Sequence, residues 1–137
     1  MKLTEQIPKY IVLAVIVGGL AIPAWNFFGA DSGGTTVNVS VPSLSPVALS
    51  GKAIFDANCA ACHGDNASGT EQGPPLIHNI YNPGHHGDES FLLAARQGVR
   101  QHHWPFGNMP PVEGVTDGDV KMIIAYVREL QRANGIN

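Results

Sequence analysis

The stretch "NCAACHGDN" at 58–66 holds both cysteines of a 137-residue chain, two residues apart, with His63 directly after the second. A bare C-x-x-C serves as a redox dithiol, as half of a zinc site or as an attachment point for haem, so the spacing alone leaves three chemistries open. A zinc site normally closes with four ligands, and there is no second cysteine pair to complete one. A thioredoxin-like dithiol needs a strand before it and a βαβ pattern around it, whereas 50–58 reads as a short helix. The haem reading employs every residue present, with Cys59 and Cys62 as thioethers to the porphyrin vinyl groups and His63 as the proximal iron ligand.

Upstream of the motif, 11–28 reads "IVLAVIVGGLAIPAWNFF" without a charge. As a helix it is about 27 Å long, close to the thickness of a bilayer's hydrocarbon core, and it is expected to be a single transmembrane anchor within 1–28. Lys2 and Lys9 precede it and no Lys or Arg follows until Lys52, which sends the remainder of the chain outward by the positive-inside rule. A cleaved signal peptide is the competing reading. The apolar run is longer than an ordinary signal core, and no A-x-A stands before the polar stretch: Ala24 has Ile22 two positions earlier, and Ala30 has Phe28. Residues 29–50 are rich in Gly, Ser, Thr and Pro with one charge at Asp31, and read as a flexible linker with a reach of roughly 25 Å.

The remaining 51–137 form a small domain, of a size that usually needs a covalent or metal-borne staple. Three helices are legible. The first spans about 50–58 and presents Ile54 and Phe55. The second starts with Asp88 as N-cap, carries "ESFLLAARQ" and stops at Gly98. The third opens on Thr116 and Asp119 as a variant capping box, and Val120, Ile123, Ile124, Val127 and Leu130 repeat with the helical period up to Gly135. No strand pairing is evident, so the fold class is all-α. Two long loops rich in Gly and Pro connect the helices, and such loops in a compact domain are usually functional.

These features together resemble a class I cytochrome c: the haem motif near the domain's start, "GPPL" at 73–76, a methionine before proline in "NMPP", and a last helix reading "DVKMIIAYVREL". The tethered layout and the ending "LQRANGI" are similar to membrane-anchored monohaem cytochromes of Alphaproteobacteria. The resemblance implies a cytochrome c fold over 51–137 around one covalent haem c. It also implies a one-electron carrier rather than an enzyme, in the bacterial inner membrane with its haem domain in the periplasm. By the same resemblance Met109 is the second axial iron ligand beside His63, the carbonyl of Pro74 supports the His63 ring, and Gly51, Phe55 and Tyr126 lie where the terminal helices cross. His/Met ligation raises the reduction potential. The irregular loop holding Met109, stiffened by Pro110 and Pro111, suits a weak thioether ligand.

His85, His86, His102 and His103 depart from the expected pattern, and they are expected to be exposed loop residues, because adjacent histidines in a loop rarely both face one site. The more specific alternative is a metal site or a replacement iron ligand. His78, alone in the first long loop, is likewise expected to be an exposed loop residue. The domain has six basic and nine acidic residues, a poor balance for nucleic acid, so redox proteins are the expected partners. No Ser-His-Asp set or phosphate-cradling glycine motif points to catalysis by the polypeptide. Two other functions use the same residues: a haem sensor or peroxidase-like protein with a labile sixth ligand, and a cytochrome subunit of a larger oxidoreductase.

Overall fold

The computed structural model describes residues 36–137. The expected anchor over 1–28 and the first part of the linker lie outside the described residues. Among the described residues no helix is long and apolar enough to cross a membrane. The described residues form four α-helices, α1 (Pro46–Asn58), α2 (Ala60–His63), α3 (Asp88–Gln97) and α4 (Asp117–Ala133), with single 3-10 turns at Asp65–Ala67 and Asn79–Tyr81. Among these residues there is no strand, only an isolated bridge between Val99 and Met109.

α4 organises the fold. Thr116 accepts the Asp119 N–H on its side chain, while the Asp119 carboxylate accepts the Thr116 N–H at 2.9 Å, completing the capping box. A cap of this kind is worth about 1 kcal/mol. The periodic stripe is buried throughout, from Val120 at 4% exposure to Val127 and Leu130 at zero. The first half of that stripe, Val120 and Ile124, packs with Leu92 of α3. The second half joins Phe55 of α1, Leu76 and Ile77 in the main core.

α1 crosses α4 at Gly51, where a Cβ would stand 1.9 Å from the Met122 carbonyl oxygen. Only a residue without a side chain permits that approach. Beyond the crossing, Phe55 and Tyr126 meet edge to face at 5.6 Å, both fully buried. α1 begins at Pro46, four residues before the expected Ser50. Ser45 is its N-cap, accepting the Ala48 N–H, and is itself held by Glu129 of α4: its hydroxyl donates to Oε1 at 2.6 Å and its N–H to Oε2 at 3.0 Å. Proline at the first helical position suits this start.

The described part of the expected linker also engages the domain. Val37 donates to the Ser68 carbonyl at 2.8 Å, Ser40 exchanges hydrogen bonds with the Asn134 amide, and Val37, Val39 and Leu44 pack on the core. α3 is capped by Gly87 rather than Asp88, which becomes the first helical residue and turns its carboxylate to Arg128.

Candidate functional site

The end of α1 runs directly into the motif. The Cys59 N–H donates to the Phe55 carbonyl, and the single turn of α2 then carries Cys62 and His63. Cys62 is exposed and Cys59 partly buried. Burial first, and the nearby Cys62 second, push the Cys59 thiol up to about 11. A reactive redox cysteine is the reverse, a thiol with a depressed pKa. His63 donates from Nδ1 to the Pro74 carbonyl oxygen at 2.9 Å. A carbonyl only accepts, so the proton sits on Nδ1 and Nε2 keeps its lone pair. Burial holds this imidazole below its ordinary pKa, against the opposing pull of the Pro74 bond, so the ring is neutral and ready to ligate a metal.

Met109 is set by main-chain hydrogen bonds. Val99 and Met109 exchange both N–H···O bonds at 2.9 Å, and Val112 donates to the Ala95 carbonyl at 2.8 Å, so the loop is fastened to the end of α3. Gly98, at φ +73°, closes α3 where a Cβ would come within 2.3 Å of the Met109 carbonyl oxygen. Cys59, His63, Pro74 and Met109 line one cavity of about 490 Å³, walled also by apolar side chains including Phe91 and Ile123. Cys62 is not among its lining residues.

The cytochrome c family model matches residues 48–131. The chain belongs to the cytochrome c family. The cbb3-type cytochrome c oxidase subunit CcoP of Azospirillum brasilense is 36% identical to it over 87 residues, covering 58% of this chain and 27% of that protein. The match therefore spans well under half the length of that relative. No solved structure gives a significant match.

Haem c, covalently bound, is the cofactor of this cytochrome c domain, and haem-based electron transfer is its class of function. The site fits that group. Its walls are apolar, as a macrocycle requires, and the only lone-pair nitrogen of His63 is the one left to face a metal. The indole N–H of Trp104, another lining residue, is buried beside the Tyr81 hydroxyl and makes no well-aligned hydrogen bond. An acidic side group of the macrocycle would give it a stronger acceptor.

Of the four loop histidines, His85, His102 and His103 are exposed as expected and His86 is half-buried, but the four rings come together. His85 and His103 face each other with Nε2 atoms 3.3 Å apart, the rings of His86 and His103 lie 5.3 Å apart, and those of His102 and His103 lie 4.4 Å apart. The loop before α3 and the loop after it both lean over the cavity mouth, and His86, His102 and His103 line it. Desolvation lowers the His103 pKa, as do its three histidine neighbours. His78 accepts the Ile80 N–H and packs its ring against Trp104 at 5.1 Å, so it is half-buried rather than exposed.

Sequence reasoning missed Arg128 and Gln131. Arg128 is buried and donates to the Tyr81 carbonyl at 2.7 Å, the His86 carbonyl at 2.6 Å, the Gln131 amide oxygen at 2.6 Å and the Asp88 carboxylate at 2.9 Å. Gln131 donates to the carbonyls of Leu76 and Tyr81 at 2.9 and 3.0 Å. Together they fasten the loop before α3 to the last helix. The available signal was two polar residues on the same stretch of α4 as Val127 and Leu130.

Proposed function

We propose that this cytochrome c domain is a one-electron carrier with His63 and Met109 as axial iron ligands and with Cys59 and Cys62 bound through thioethers. The observation that carries the reading is the pairing of a fixed histidine and a clamped methionine loop on one apolar cavity. When bound, haem supplies a one-electron iron couple of raised potential. The chain's own task is to hold its ligands still and keep water away. The Pro74 bond fixes the His63 ring and strengthens it as a donor. The Val99–Met109 bridge presents the thioether with little freedom left to lose. A site that barely rearranges between oxidation states suits outer-sphere transfer.

In this reading, 1–28 anchors the protein in the bacterial inner membrane, the haem domain lies in the periplasm, and electrons pass between membrane or periplasmic redox proteins. The uncharged run at 11–28, with Lys2 and Lys9 before it and no Lys or Arg after it until Lys52, supports the orientation. Similarity to an oxidase subunit favours a second reading, in which the domain serves within a cbb3-type oxidase rather than shuttling freely. Stoichiometric co-purification with oxidase subunits in mild detergent distinguishes the two.

The first test is the optical spectrum of the oxidised protein beside Met109→Ala. The weak long-wavelength band of sulfur-to-ferric-iron charge transfer is expected in the parent and absent from the variant. A parent without the band has an open or bis-histidine iron, and the sensor or peroxidase reading then takes precedence.

A further inference from the structure

The histidine cluster at the cavity mouth has the donor set of a second metal site. One ring nitrogen from each of His85, His86 and His103 falls within 4.8 Å of the others. The 3.3 Å between the Nε2 atoms of His85 and His103 matches the roughly 3.3 Å that separates two nitrogens bound tetrahedrally to one ion at 2.0–2.1 Å. The neighbouring carbonyls select the free nitrogen. His86 donates Nδ1–H to Ile80 at 2.7 Å, and His102 donates Nδ1–H to Arg100 at 2.8 Å, so each keeps its lone pair on Nε2. A carbonyl bonded to the far nitrogen is the usual support of a ligating imidazole. The loop carrying His86 is also held from behind, since Arg128 grips the His86 carbonyl.

We propose that His85, His86 and His103 bind a divalent transition-metal ion, Cu(II) or Zn(II), at a site separate from the haem iron. Three neutral imidazoles with no carboxylate or thiolate among them suit these borderline cations and not Mg(II) or Ca(II). Of the two, Cu(II) binds more tightly by the general order of divalent metal affinities. His102, ring to ring with His103, stands beside the three as a reserve ligand, and water completes the coordination. Because His86 and His103 also line the cavity, the ion adds positive charge beside the haem and raises its reduction potential. That last consequence rests on the haem reading; the binding itself does not.

Equilibrium dialysis of the haem-loaded protein against Cu(II) alone and Zn(II) alone, with metal and iron counted per chain, tests the site. One equivalent is expected beyond the haem iron, with nitrogen hyperfine structure in the electron paramagnetic resonance spectrum of the Cu(II) form. The double variant His85→Ala/His103→Ala is expected to lose affinity at least a hundredfold. The single variants His85→Gln and His103→Gln, both at exposed positions, are expected to lose at least tenfold, and they serve if the double variant folds poorly. Equal binding by the parent and these variants, or no binding by the parent, overturns the proposal. The two readings are told apart in the same haem-loaded protein: the count of bound Cu(II) or Zn(II) tests the histidine site, and the ferric charge-transfer band tests the ligation by Met109, so either can fail while the other stands.

Discussion

Arg128 of α4 donates its guanidinium to the main-chain carbonyl of His86 at 2.6 Å, so the last helix holds the loop that carries one side of the histidine cluster. The same side chain is only 8% exposed and also satisfies Tyr81, Gln131 and Asp88. Its partner Asp88 is 64% exposed, so the Asp88 pair itself contributes little and the buried carbonyl bonds dominate.

Arg128→Leu leaves the His86 carbonyl and the Gln131 amide oxygen without their donor and removes one of the two donors to the Tyr81 carbonyl, and is expected to cost about 3 kcal/mol in chemical denaturation. Arg128→Lys recovers only part of this, because one ammonium cannot reproduce the planar fork that spans these acceptors. A loss below about 1 kcal/mol for Arg128→Leu would show that water takes over the guanidinium's role.

Gly98 stands at φ +73° with no room for a Cβ beside the Met109 carbonyl. Gly98→Ala is expected to lower stability by about 1–3 kcal/mol and to break the Val99–Met109 bridge. Under the proposed ligation the charge-transfer band then weakens or vanishes in the ferric spectrum, although Met109 itself is unchanged. An undiminished band would mean that the bridge does not position the thioether.

The two hydrogen bonds from Ser45, hydroxyl first and N–H second, hold the Glu129 carboxyl below its ordinary value of 4.5. Its folded pKa is depressed, so its contribution to stability is complete above that ordinary value and is lost as pH falls through the folded pKa. Glu129→Gln is therefore expected to lower the melting temperature at pH 7 and to flatten the parent's decline between about pH 5 and pH 3. Melting curves of parent and variant at matched pH check this, and parallel declines would remove Glu129 from the account. Because the group is only partly buried, added salt is expected to shrink the difference.

Local pattern by itself determined much of this protein. The motif at Cys59, Cys62 and His63, the methionine before Pro110, the capping box at Thr116 and the apolar stripe from Val120 to Leu130 are each written within a few residues or at a fixed helical period. From these came the all-α class, the α4 core and Cys59, His63 and Met109, which line one cavity. Tertiary structure alone decided the rest. α1 begins at Pro46 because Ser45 is held by Glu129, 84 residues away. Arg128 is buried because the carbonyls of Tyr81 and His86, 47 and 42 residues away, join the nearby Gln131 amide oxygen in replacing its water. His85 meets His103 only because the loops on both sides of α3 lean over the same opening. Each of these depends on pairs far apart in the chain, whose energy is realised only after the helices pack, and no local periodicity encodes such a pair.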